Sequence, residues 1–201
     1  CYITIENCHI SSDNNMMIAA WAGGICGRYA TNVTITGCSN SVKIYTQGGG
    51  ICGQEADECD ITYCWNRGEI SGNYAGGICS GKISNGTISY CYNTGVISGS
   101  DTGGICGYRA GNDGQLTIFN CYNNAAGANQ DSQGGICGYY AGNDNGTVNI
   151  YNCWSKGGDL ADGIVGSQFP GTVTVKNCYS IGSPINVGTV TNSYTTNDWD
   201  D

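Results

Sequence analysis

The tetrapeptide Gly-Gly-Ile-Cys occurs five times, at residues 23–26, 49–52, 76–79, 103–106 and 134–137, and a worn sixth copy reads Asp162-Gly163-Ile164-Val165-Gly166. The isoleucines of these copies (Ile25, Ile51, Ile78, Ile105, Ile136, Ile164) are 26, 27, 27, 31 and 28 residues apart. A fixed period in the twenties marks a solenoid, in which each repeat is one coil that buries its apolar face only against its neighbours. The six isoleucines, with Cys26, Cys52, Cys79, Cys106 and Cys137, are therefore expected to stack as a core ladder.

Each period has three parts. After the GGIC segment comes an alternating run ending in Cys, as in Val33-Thr34-Ile35-Thr36-Gly37-Cys38, Leu116-Thr117-Ile118-Phe119-Asn120-Cys121 and Val148-Asn149-Ile150-Tyr151-Asn152-Cys153. Alternation of this kind is a half-buried strand. A short third stretch follows an Asn/Gly turn: Val42-Lys43-Ile44, Glu69-Ile70-Ser71, Val96-Ile97-Ser98. The pattern predicts an all-β, right-handed parallel β-helix with three short strands per coil and about seven coils. One solenoid domain would span 1–194, with 195–201 as a cap or the start of a linker. A leucine-rich solenoid is excluded, since Leu occurs only at Leu116 and Leu160. Glycine is expected where the coil turns with positive φ and where rungs approach with no side chain between them. The Gly-rich segments do not read as phosphate loops, because no helix follows them.

Composition narrows the function classes. Sixteen acidic against seven basic residues give a formal charge of -9. The basic residues are not expected to cluster, so nucleic acid and anionic membranes are unfavoured partners. No apolar run reaches the roughly 20 residues of a membrane span. The chain begins inside an apparent strand, Cys1-Tyr2-Ile3-Thr4-Ile5, without an initiator Met, and reads as a piece of something longer that carries other domains.

Twelve of the fourteen cysteines obey the repeat: five in GGIC and seven closing the alternating strand (Cys8, Cys38, Cys64, Cys91, Cys121, Cys153, Cys178), with Cys1 and Cys59 as extras. Metal ligation is the weakest of three readings, because no CxxC pair occurs. Disulfides remain open, since stacked rungs bring equivalent Cα atoms to roughly 4.8 Å. Ladders of buried thiols fit best, because Val165 replaces one Cys in the worn copy while Cys178 stays. Such thiols imply a reducing or anoxic setting. His9 is the only histidine, which excludes sites built on two.

The segments GGICG, Asn120-Cys121-Tyr122-Asn123, Tyr90-Cys91-Tyr92-Asn93-Thr94-Gly95 and Asn152-Cys153-Trp154 resemble the GLUG-motif repeats of bacterial surface proteins. The likeness covers nearly the whole chain, with Ile in place of the family's Leu. It implies a β-solenoid spacer or binding region outside the cell, on adhesin-like proteins, and it supplies no catalytic residues.

Three functions compete at this stage. The first is a non-catalytic, extracellular or cell-surface solenoid, acting as a stalk or adhesive module that contacts glycan or a host or cell-surface protein. Its candidate ligand-binding residues are Trp65, Tyr92, Tyr122, Trp154 and Tyr179, each just after a strand-ending Cys. The second is a polysaccharide-active lyase or hydrolase, for which the acidic cluster Glu55, Asp57, Glu58 and Asp60 is the candidate, with Arg67, Arg28 and Lys82 nearby. The third is an ice or Ca2+ binder. Asn112-Asp113 and Asn143-Asp144 fall at matching positions of adjacent coils, making Asp113 and Asp144 candidate calcium ligands, although an Asx turn explains them as well. The threonines do not line up over every coil, which argues against ice. No other cofactor is expected.

Overall fold

The computed structural model describes residues 2–12, 16–125, 133–156, 162–167, 171–185 and 188–196. Cys1, Leu160 and residues 197–201 of the expected cap lie outside them. The chain is a right-handed parallel β-helix of about six turns, with no helix among the described residues.

The long alternating strands form one eight-stranded parallel sheet: Ile3–Glu6, Thr31–Thr36, Asp57–Thr62, Gly86–Ser89, Gln115–Phe119, Thr147–Tyr151, Thr172–Lys176 and Thr189–Thr191. Register is kept from coil to coil, so that Ile5, Ile35, Ile61, Ile88, Ile118, Ile150, Val175 and Val190 stand over one another. Alternation determines this register, because a slip of one residue would turn every apolar side chain outward. The extra Cys59 is explained here: it occupies the inward position held by Val33 one coil earlier, and it is fully buried.

A second eight-stranded parallel sheet runs through segments of two or three residues directly after the strand-ending cysteines. It begins with His9–Ile10, Ser39–Asn40, Trp65–Asn66, Tyr92–Asn93 and Tyr122–Asn123, and ends with Trp154–Lys156, Tyr179–Ile181 and Tyr194–Thr196. Its last strand carries the ladder to Thr196. The expected third stretch forms a shorter row, Ile18, Ile44, Ile70 and Ile97, in the early coils. With the GGIC row, an early coil therefore contributes four ladder segments; the strand after Cys is too short to show a period in sequence.

The GGIC row repeats with six members. Bridges join Gly23, Gly49, Gly76, Gly103, Gly134 and Asp162, and in parallel Cys26, Cys52, Cys79, Cys106, Cys137 and Val165. From Ile51 onward each isoleucine carbonyl accepts two N–H groups from the coil before it; Ile78 O takes those of Ile51 at 2.9 Å and Cys52 at 3.0 Å. Ile51, Ile78, Ile105, Ile136 and Ile164 are wholly buried, and Ile25 at the open end is partly so. The glycines are required sterically. A Cβ on Gly50 would lie 2.1 Å from the carbonyl oxygen of Gly77 in the next coil.

Two side-chain ladders line the interior. Each strand-ending Cys offers its sulfur to the backbone N–H of the Cys one coil earlier at 3.4 Å, from Cys8 through Cys178. All thirteen described cysteines are free thiols. The other ladder is of asparagine. Asn40, Asn66, Asn93 and Asn123 are completely buried, and each of the first three amides donates to the next at 2.7–2.8 Å. Each of these three also closes a local turn: Asn66 bonds both the N–H (3.1 Å) and the C=O (2.8 Å) of Gly68.

Candidate functional site

Three corners of the coil need a left-handed backbone, and they are filled by different residue types. The residues just before the strand-ending Cys are Asn7, Gly37, Tyr63, Tyr90, Asn120, Asn152 and Asn177, with Asn192 at the matching place in the last rung; six of these eight are Asn or Gly. Such residues adopt this conformation at least cost, whereas a side chain of another kind pays roughly 1–2 kcal/mol. The two corners flanking GGIC hold neither type. Trp21, Gln47, Tyr74 and Asp101 stand before it with φ of 57–65°, and Tyr29, Glu55, Lys82, Arg109 and Tyr140 after it with φ of 56–62°. Backbone bonds from Glu55 N to Gly81 O, from Lys82 N to Tyr108 O and from Arg109 N to Tyr139 O keep the second row in register.

A groove lies between these two rows. Its main cavity, about 410 Å³, is lined by Trp21, Arg28, Gln47, Gln54, Glu55, Tyr74, Lys82, Tyr108 and Arg109. Glu55 sits at its centre, 3.0 Å from the Arg28 guanidinium and 3.3 Å from the Lys82 ammonium. Partial burial raises the Glu55 pKa, but hydrogen bonds from Arg28, Tyr29 and Lys82 outweigh it and hold the carboxyl below its ordinary range. Arg28 lies over the rings of Tyr29 (4.3 Å) and Trp21 (5.3 Å), and Arg109 over Tyr108 (4.9 Å) and Tyr140 (5.8 Å). The Arg109 Nε is buried without a hydrogen-bond partner, and its ion pair with Asp144 is long, at 3.7 Å. The Trp21 indole N–H donates to Gln47 Oε1, which also accepts from Gln54 Nε2 at 3.3 Å. Tyr74 and Tyr108 pack edge to face at 4.8 Å. A second cavity of about 330 Å³ continues past Glu55 and Lys82, lined by Asp57, Ser84, Asn85, Asn112 and Asp113.

The groove corrects one expectation. Basic residues do cluster: Arg28, Lys82 and Arg109, three of the seven in the chain, share one cavity. They escape a linear reading because they are one to three coils apart. Aligning the repeats reveals them, since each lies two or three residues after a GGIC cysteine.

The five aromatic residues expected to bind ligand are brought together as one pillar. Trp65, Tyr92, Tyr122, Trp154 and Tyr179 stack at centroid separations of 4.9–6.0 Å with interplanar angles of 1–7°, and Tyr194 continues the stack. The faces of the inner rings are thus covered by their neighbours, which leaves edges for a ligand. His9 lies 5.5 Å from Trp65 at the head of the pillar and bonds Ser39 Oγ through Nδ1 at 2.8 Å.

The acidic cluster divides. Glu55 points into the groove, and Asp57 accepts from the Asn85 side chain at 2.9 Å. Glu58 and Asp60 are exposed on the long strand. Asp113 and Asp144 occupy neighbouring coils, but Asp144 pairs with Arg109, and Asn143 Nδ2 donates to Asn112 Oδ1 at 3.4 Å, as stacked Asx turns would. No group of three metal-binding side chains converges among the described residues. Threonines share one outward register more fully than the linear pattern shows: Thr4, Thr34, Thr87, Thr117, Thr174 and Thr189, interrupted by Asp60 and Asn149.

Cys26, at the partly open end of its ladder, differs from the buried thiols further along that ladder. A hydrogen bond with the Cys52 thiol brings its pKa down to about 7 against the opposing effect of burial, with help from the Gly27 backbone. Burial raises Cys79 and Cys106 instead.

No protein-family model matches the chain, and no curated protein matches its sequence.

Proposed function

We propose that this chain is a non-catalytic β-solenoid module of a larger surface protein, a stalk or adhesive segment outside the cell, as the GLUG-like motifs imply. The observation that carries this reading is coil-to-coil repetition in register. Isoleucine, cysteine, asparagine and aromatic ladders succeed one another along one axis, which is how a chain builds a rigid spacer and repeats a surface for multivalent contact. Of the carboxylates of the acidic stretch, Glu58 and Asp60 lie apart, exposed on the long strand, and Glu55, which lines a cavity with Asp57, is engaged by two cations.

Removal of one whole coil, residues 76–102, tests the reading. The shortened chain should keep its β-sheet circular dichroism and lose about 4.8 Å of length by small-angle scattering. Collapse of the fold would count against a modular spacer. Release of unsaturated product from an acidic polysaccharide by the intact chain would establish the enzymatic alternative instead.

A further inference from the structure

We propose that the groove between the two corners flanking GGIC binds a carboxylated saccharide chain. This deepens the adhesive reading by giving it a site and a ligand class. Three observations carry it. First, in a chain of net charge -9, the main cavity gathers three cations against one carboxylate. Second, its walls combine tyrosine and tryptophan rings with side-chain amides, the mixture that packs against a sugar's C–H face while bonding its hydroxyls. Trp21 is 46% exposed at the head of the groove. Third, Trp21, Gln47, Glu55, Tyr74, Lys82 and Arg109 of this lining stand on a strained backbone. The third corner shows that Asn or Gly serves the same turn, so the turn alone does not call for Trp, Tyr, Lys or Arg.

The site has a polarity. Glu55 occupies Arg28 and Lys82 from the centre, and Asp57 and Asp113 make the neighbouring cavity acidic. The ligand carboxylate therefore sits on the Arg109 side, where the guanidinium's ion pair with Asp144 is long, at 3.7 Å, and Lys82, one rung earlier, lines the same cavity. Rungs roughly 4.8 Å apart suit a sugar unit of about 5 Å, so a chain lies along the groove, parallel to the solenoid axis.

Isothermal titration of the full chain with oligogalacturonate, its fully methyl-esterified counterpart and a sialylated oligosaccharide tests the proposal. At least one of the two carboxylated probes should bind, and for the first the ester should bind at least about tenfold more weakly. Lys82→Gln and Arg109→Gln should each weaken binding by about tenfold or more. Glutamine already stands on this type of corner at Gln47, so both variants should fold, which circular dichroism checks. Trp21→Ala should weaken it as well. Arg67→Gln and Lys176→Gln, outside the groove, should not. Absence of binding by both carboxylated probes, equal binding of acid and ester, or indifference to the groove substitutions would overturn the site. Each of these results leaves the coil-deletion test of the spacer untouched, so the two readings fail separately.

Discussion

Asn93 is the sharpest test of the interior. Its side chain is wholly buried and makes four hydrogen bonds: it accepts from Asn66 Nδ2 (2.7 Å) and Gly95 N (3.1 Å), and donates to Asn123 Oδ1 (2.8 Å) and Gly95 O (2.9 Å). Asn93→Ala removes all four and leaves their partners in a space closed to solvent. At about 1 kcal/mol for each bond, the loss is roughly 4 kcal/mol. Asn40 starts the ladder with three such bonds, so Asn40→Ala should cost about 3 kcal/mol by the same reckoning. The exposed Asn124 serves as control, and Asn124→Ala should stay within about 0.5 kcal/mol. Asn93→Asp goes further, because it turns both donor contacts into oxygen facing oxygen. Burial and that repulsion raise the new carboxyl's folded pKa above its unfolded value, so the variant should regain stability as pH falls and the protonated form restores one donor. Urea unfolding followed by tryptophan fluorescence measures the series. Because solenoids can open coil by coil, amide exchange at Gly95 provides the local reading. A loss below about 1 kcal/mol for Asn93→Ala, no larger than that of the Asn124 control, would refute the ladder as a source of stability.

Two glycines of the GGICG motif should behave oppositely. Gly50→Ala drives a methyl group against Gly77 O and should cost more than about 3 kcal/mol, whereas Gly27→Ala meets nothing within 4 Å and should be neutral; equal thermal midpoints would contradict the rung contact. Glu58 has φ of 50° on an exposed position, where the coil before it has Asn32 at 57°. Glu58→Asn should therefore raise stability by roughly 1 kcal/mol, and a lower melting temperature would count against the strain argument. Cys26 should be alkylated with a midpoint near its pKa of about 7, its reactive thiolate growing as pH rises, while Cys79 and Cys106 stay protected in the native chain. Mass spectrometry after brief iodoacetamide treatment across pH 5–9 reads this, and equal labelling of the three would refute it.

The repeat was legible because its period is carried by residues whose burial is compulsory. Ile51, Ile78 and Ile105 have no other way to leave water, so their spacing in the chain is the height of one coil in space. The alternating strands were legible for a similar reason. The asparagine ladder was not, since a two-residue strand such as Tyr92–Asn93 cannot display a period and an isolated Asn reads as a turn. Closeness along the chain misled in the other direction. Glu55, Asp57, Glu58 and Asp60 look like one cluster, but the strand splits them in two: Glu58 and Asp60 are exposed along it, while Glu55 and Asp57 line a cavity. Arg28, Lys82 and Arg109 look dispersed, and the stacking of coils gathers them. In a solenoid, residues one period apart are nearer neighbours than residues three apart.

This difference also indicates where a repeated scaffold can carry specificity. Positions in the ladders are bound to repeat: a change at Gly50 meets the next coil's carbonyl, and a change at Asn93 orphans amides above and below it. Corner side chains escape that rule, since those of Trp21 and Tyr29 are exposed and those of Gln47, Glu55, Tyr74, Lys82 and Arg109 are only partly buried. At the corner before Cys the chain takes the inexpensive solution, Asn or Gly, at six of eight positions. At the corners beside GGIC the backbone has the same left-handed geometry, yet none of nine residues is Asn or Gly, and their chemistry changes from coil to coil. Exposed ion pairs such as Arg28–Glu55 contribute at most about 1 kcal/mol, which does not clearly exceed the conformational cost of even one such corner. Stability alone therefore gives little reason to place Trp21, Lys82 and Arg109 there. A ligand that meets all three at once does, because its binding draws on side chains that the fold itself could have done without.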